Sequence, residues 1–246
     1  MSGHNKWSTI KRKKGAIDAK RSKIFSKINK EITVAVKESG PDPDSNPRLR
    51  LAIANAKGAS MPKDNIQRAI SKGSDKDSAS FIECTFEGYA NGGVAIFLEA
   101  TTDNQQRTIS NVRMYFNKYN GSLGTNGSLS FIFDRKGIFT IPLGTLDPDD
   151  FEMEMIEAGA EDMQLEEGYF TVTTAMENFG AMMKKLETLK IEPENAQLQR
   201  IPKDTTKLDL ESSKKVMRLI ELFEEDDDIQ AVYHNLEMTD ELMDSL

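Results

Sequence analysis

The chain has 246 residues, 38% of them hydrophobic and 29% charged, the balance of a globular protein long enough for two or three domains. Its longest unbroken apolar run, Val94 to Leu98, is far short of the ~20 residues a membrane span needs. One cysteine, Cys84, rules out an internal disulfide and a cysteine-based zinc site, and two histidines, His4 and His234, leave little for metal or acid–base chemistry. The net charge of −8 hides a division: residues 1–73 hold 17 Lys/Arg against 6 Asp/Glu, a surplus of +11, and residues 74–246 hold 15 against 34, a deficit of −19. A basic head on an acidic body points to a polyanionic partner. No apolar stretch follows the basic N-terminus as in a secretory signal, so the expectation is a reduced, cytoplasmic protein without cofactor, metal, membrane or small-molecule partner.

Residues 1–17 have neither helical nor alternating period and read as a flexible basic arm. A helix is predicted from Asp18 to about Ser39, with Ile24, Ile28, Ile32 and Ala35 on one face and Lys20, Lys23, Lys27, Lys30 and Lys37 opposite. Gly40-Pro41-Asp42-Pro43 ends it. Two shorter helices are expected at about Arg48–Lys57 and Lys63–Lys72, the last capped by Gly73, so that residues 18–73 make a three-helix bundle. The polar stretch Ser74 to Ser80 reads as a linker and the clearest domain boundary.

Beyond it the period changes. Strands are expected at Phe81–Tyr89 and Val94–Thr101 about an Asn91-Gly92-Gly93 turn, then an amphipathic helix from Asp103 to Tyr119 and a strand at Ser130–Asp134. Residues 137–202 follow in βαββαβ order: Ile138–Ile141, Asp149–Ala158, Met163–Leu165, Tyr169–Thr173, Asn178–Leu189 and Ala196–Ile201. A helix from Glu211 to Glu225 and a strand at Ile229–Tyr233 complete the chain. The fold class is therefore α+β and multidomain: the basic arm and bundle, plus two α/β sandwich domains of ferredoxin-like type. One of these, 137–202, is inserted into the other, a discontinuous domain of residues 81–135 and 206–246.

Several segments carry a family resemblance. GHNKW at 3–7, DAKRSKIFSKINKEI at 18–32, DPDSNPRLRLAIANAK at 42–57, MPKDNIQRAI at 61–70, FEGYANGGVAIFLEATTDNQQRT at 86–108, GSLGTNGSLSFIFDRKG at 121–137 and the terminal DDDIQAVYHNL resemble the YebC family over nearly the whole chain. Two small departures are Ala90-Asn91 ahead of Gly92-Gly93 and a glycine-poor loop at Glu38 to Pro41. The resemblance implies a helical N-terminal domain and two α/β domains. It also implies a cytoplasmic, non-enzymatic regulator of gene expression. Members are commonly labelled DNA-binding transcriptional regulators, mitochondrial relatives activate translation, and some members look like ribosome-associated factors that relieve stalling at proline runs.

Residues 1–30 contain ten Lys/Arg and one acid, Asp18. Such density suits a phosphate backbone, whose neutralisation releases condensed counterions. The candidate contacts are Lys6, Lys11, Arg12, Lys13 and Lys14 of the arm and Lys20, Arg21, Lys23, Lys27 and Lys30 of the first helix, with Arg48, Arg50, Lys63 and Arg68 widening the surface. Trp7, the only tryptophan, lies among arm cations where its ring could stack on an unpaired base, and His4 could donate to a phosphate. Lysines suit phosphates and favour RNA; Asn65, Gln67 and Arg68 on the third helix keep base reading in duplex DNA open. Arg107, Asn111 and Lys118 share a helix face and read as plain surface. The acidic run Glu224 to Asp228 reads as a solvated helix end, Asp149 and Asp150 as helix N-terminal acids, Cys84 as a buried hydrophobe, and Gly121, Gly124 and Gly127 as turn residues. The alternative function is a metal-dependent nuclease, or another enzyme, built on the acidic clusters.

Overall fold

A computed structural model describes residues 17–75 and 80–245, with side chains from residue 21 onward. Helices α1 (Ile17–Ser39), α2 (Pro47–Gly58) and α3 (Lys63–Ser74) come first. Strands β1 (Ile82–Tyr89) and β2 (Ala95–Thr102), helix α4 (Gln105–Lys118), and strands β3 (Ser122–Leu123) and β4 (Phe133–Pro142) follow. Next are α5 (Pro148–Glu157), β5 (Ala160–Glu166), β6 (Tyr169–Ala175), α6 (Phe179–Thr188) and β7 (Asn195–Pro202). The chain closes with α7 (Leu210–Glu225), β8 (Ile229–His234) and α8 (Asp240–Ser245). No described helix is long and apolar enough to cross a membrane.

Helix starts follow the local chemistry. Asn46 accepts from the Leu49 amide with Pro47 at the first helical position, Asn104 accepts from Arg107, Asp147 from Asp149 and Asp150, and Asp209 from Ser212. Each side chain satisfies a donor that the first turn leaves open.

Two compact units result. One takes in the described parts of Met1–Lys27, Ala79–Asp134 and Ile201–Leu246; the other comprises the described parts of Ile28–Ser78, with Arg135–Arg200. The sheet of the first unit has the order β3-β1-β2-β8, built on the β1–β2 hairpin, which pairs Phe86 with Leu98. One face packs Val112 and Phe116 of α4 and Val216, Ile220 and Phe223 of α7 against Phe86, Ile96 and Leu98. On the other, Leu129 and Phe133 cluster with Ala95, Phe97 and Tyr233.

The second sheet has the order β5-β6-β4-β7, the split βαβ arrangement of a ferredoxin-like fold. Phe139 pairs with Val172 and Ile141 with Phe170, and these residues meet Phe151, Met155, Met182 and Leu186 from α5 and α6. Leu51 of α2 packs against the same cluster. The Asn55 amide bonds both the N–H and the C=O of Ala196 at 3.0 Å, closing β7. Within the helical part of this unit Ile32, Ala35, Val36, Leu49, Ala52, Ile66 and Ala69 are buried.

Two expectations are corrected. Residues 126–132 are turns rather than a strand, and Phe133 opens one ten-residue strand that absorbs the expected Ile138–Ile141. The cause is Glu87, a buried carboxylate that accepts from the amides of Gly127 at 2.7 Å and Leu129 at 2.6 Å and so wraps the segment instead of letting it extend. The first sheet takes the short β3 as its edge instead. Gly73, expected as a cap, lies inside α3, where a Cβ would stand 2.8 Å from that of Val36.

Candidate nucleic-acid interface

His4, Lys6, Trp7, Lys11, Arg12, Lys13 and Lys14 lie outside the described residues, as does the side chain of Lys20. Among the other candidates Arg21, Arg50 and Lys63 are exposed and form no ion pair with a described residue. The remaining cations are engaged by the protein itself. Arg48 forks between Glu31 and Glu38, at 2.8 Å to each. Arg68 donates to the Asp64 carbonyl at 3.2 Å and to the Asn65 side chain, so two of the three possible base readers on α3 hold one another.

The lysine row on α1 is not the open face that its spacing suggests. Lys23 donates to the carbonyl of Glu225 at 2.7 Å and Lys27 to that of Gln230 at 3.4 Å. Glu225 is the last residue of α7, so the Lys23 ammonium sits at the negative end of that helix, where carbonyls lack intrahelical donors. Ile24, expected on the packed face, is 48% exposed, and the buried apolar residues of α1 begin further on, at Ile32. In its first turns the helix therefore presents its lysine side to the α7–β8 connection. Lys30 is half-buried.

That connection also corrects the reading of the acidic run. Asp228, with 8% of its side chain exposed, accepts from Arg107 Nη2 at 2.7 Å and Thr108 Oγ1 at 2.9 Å. Asp226 accepts from the Tyr115 hydroxyl at 3.2 Å and from the amide of Asp228 at 2.9 Å, with Asn111 Nδ2 at 3.5 Å. The bond to Asp228 pushes the Arg107 guanidinium further up, and burial, aided by Asp226, raises the Tyr115 phenol. Sequence reasoning missed this network, although Arg107, Asn111 and Tyr115 at i, i+4 and i+8 opposite a run of acids were its signal.

Among the described residues no three His, Cys, Asp or Glu side chains are grouped to hold a metal ion. Cys84 is half-buried rather than buried, and desolvation, with Asp228 nearby, pushes its thiol up, away from the reactive thiolate. In the Gly121–Gly127 stretch the Gly124 amide donates to the Glu87 carbonyl and the Gly127 amide to its carboxylate, each at 2.7 Å, and the Gly121 amide donates to the Phe116 carbonyl at 2.8 Å.

An N-terminal helical segment and two sheets of these orders have known relatives. The model described as the TACO1/YebC protein N-terminal domain matches residues 5–76, and that described as the TACO1/YebC second and third domain matches residues 81–236. This chain belongs to the TACO1/YebC family. A relative in Amoebophilus asiaticus is 53% identical over 96% of this chain and 98% of its own length, and one in Geotalea uraniireducens is 48% identical over the full length of both; each bears the name probable transcriptional regulatory protein. The crystal structure of a conserved hypothetical protein from Aquifex aeolicus, 42% identical, superposes with a TM-score of 0.82 over 92% of this chain and 93% of that one. As a TACO1/YebC member, the chain has a regulatory role.

Proposed function

We propose that this protein is a non-enzymatic, cytoplasmic nucleic-acid-binding regulator whose basic N-terminal segment grips phosphates, and that its physiological target is structured RNA on the ribosome. The observation that carries the reading is the charge division, +11 over residues 1–73 against −19 over the rest. A chain with a pI of about 5.0 is repelled by polyanions unless its cations are gathered in one place. The gathered cations are mostly lysines, point charges that neutralise phosphate without reading bases. Trp7 adds a ring that finds unstacked bases in folded RNA more readily than in duplex DNA. Relief of stalling at proline runs, which the YebC resemblance suggests, is the mode of action that fits a ribosomal target.

The second reading is sequence-specific DNA binding, favoured by the names of the relatives. It requires a base-reading helix, and on α3 Arg68 and Asn65 bond one another, whereas Gln67 is exposed. Deleting residues 2–15 decides between the two. We expect loss of co-sedimentation with ribosomes while the bundle stays folded, measured beside a duplex-DNA shift assay at matched salt, and an intermediate loss for Trp7→Ala. Retained sedimentation, or loss confined to one duplex sequence, gives the reading to DNA.

A further inference from the structure

Asp103 and Asp134 bracket thirty residues, 104–133, without a single carboxylate side chain, inside a body where residues 74–246 carry 34 acids. The cations of this stretch are Arg107, Arg113 and Lys118, and among the described residues only Arg107 is tied to acids. Helix α4 divides cleanly. Thr108, Val112 and Phe116 are buried, whereas Gln106, Ser110, Arg113, Met114, Asn117 and Lys118 are exposed and fall on the opposite side. Five of these six line an open hollow. Arg113 makes no ion pair with a described residue, Lys118 lies 5.8 Å from the Tyr119 ring, and Met114 is 55% exposed.

We propose that this outer face of α4 is a second nucleic-acid contact that takes single-stranded RNA. The inference rests on the nucleic-acid reading above and adds a site far in sequence from the basic arm. Charge complementarity carries it: this helix face is cationic and free of acids in a body that otherwise repels phosphate. Arg113 and Lys118 supply two phosphate contacts. The amides of Gln106 and Asn117 both donate and accept, which suits base edges and the ribose 2′-hydroxyl. Met114 offers a polarizable apolar surface for a base face. A duplex fits less well. Its two phosphate rows would straddle the helix, and on the Arg107 side they would approach exposed Asp103 and Asp227 beside the Asp226–Asp228 turn. A single strand running over the Arg113–Lys118 end avoids those carboxylates.

The test uses the full chain, an unstructured RNA oligomer and a duplex DNA of equal length. Arg113→Glu combined with Lys118→Glu should weaken RNA binding about 10- to 30-fold near 0.1 M salt and flatten the salt slope by about 1.4, about 0.7 for each phosphate no longer neutralised. Thermal melting should be unchanged, since both side chains stand outside the core. Asn117→Ala, which alters no charge, should weaken binding about two- to tenfold, and 4-thiouridine in the oligomer should crosslink to an α4 peptide. Unchanged RNA affinity in both variants, an equal loss on duplex DNA, or an altered oligomeric state with RNA affinity intact each overturns the proposal. If the arm deletion abolishes ribosome binding while the α4 variants bind RNA normally, this site fails and the function stands. If the intact chain binds no RNA, both fail.

Discussion

Lys23 and Arg21 sit two residues apart on one helix and differ in what holds them. Lys23 caps the carboxyl end of α7 through the Glu225 carbonyl, whereas Arg21 is exposed and forms no ion pair among the described residues. A cation at a helix C-terminus contributes about 0.3–1 kcal/mol. We therefore expect Lys23→Ala to lower the urea midpoint by a small, measurable step, and Arg21→Ala to leave it unchanged while reducing the salt slope of nucleic-acid binding by about 0.7–0.9. Equal midpoints for the two variants would contradict the capping role. Cys84 permits a second test at this scale. Its thiol is raised by burial and by the carboxylate of Asp228, so less thiolate is present at any pH below the shifted value. Alkylation of Cys84 at pH 8 should run slower than that of an unhindered thiol, and the midpoint of its rate against pH should lie above the ordinary ~8.5. A midpoint at or below that value would show that the side chain is not desolvated.

At the scale of elements, the contact of α3 with α1 is set by a missing side chain. In an exposed helix interior Gly→Ala is stabilising by up to ~1 kcal/mol. At Gly73 the added Cβ would stand 2.8 Å from Val36 Cβ and 3.2 Å from the Thr33 carbonyl oxygen, so overpacking outweighs propensity. We expect Gly73→Ala to destabilise by about 1–3 kcal/mol in urea titration; a gain in stability would mean that the helices separate without cost. Sequence alone suggests a cap at Gly73 because glycine after a helical pattern usually is one. What it cannot carry is the neighbouring helix, since Val36 is remote in sequence. The same limit explains Ser130–Asp134. Its apolar residues suit a strand, but Glu87, over forty positions earlier, gathers the loop amides and turns the chain. Where the information is local, the elements are legible: Asn46-Pro47, Asn104 and Asp147-Pro148 each mark a helix start by a side-chain bond within three residues. The candidate site is legible as composition and not as geometry. Ten cations in thirty residues can be counted, but that Lys23 and Lys27 reach carbonyls about two hundred residues away cannot.

For the molecule as a whole, a bundle that stands alone up to a linker at Ser74–Ser80 is the simplest reading of the sequence, yet residues of α2 belong to the packing of the second sheet. Leu51 joins the Phe139–Phe170 cluster, the Asn55 amide bonds both backbone groups of Ala196, and a Cβ at Gly58 would lie 1.7 Å from the Glu194 carbonyl oxygen. A buried or half-buried backbone pair deprived of its partner costs about 1–3 kcal/mol, and exposing the surface that Leu51 covers adds to it. Removal of the helices should therefore be felt in β7 first. We predict that a fragment of residues 80–246 retains its two sheets by far-ultraviolet circular dichroism but melts at a lower temperature than the intact chain. In hydrogen exchange the Ala196 amide should lose protection, while the Val172 and Phe170 amides at the centre of the same sheet keep theirs. Asn55→Ala in the intact chain should reproduce the Ala196 effect alone, because it removes the two hydrogen bonds and leaves Leu51 in place. Native-like protection at Ala196 in the fragment would mean that the helices ride on the sheet without stabilising it, and that the bundle is the independent domain its sequence suggests.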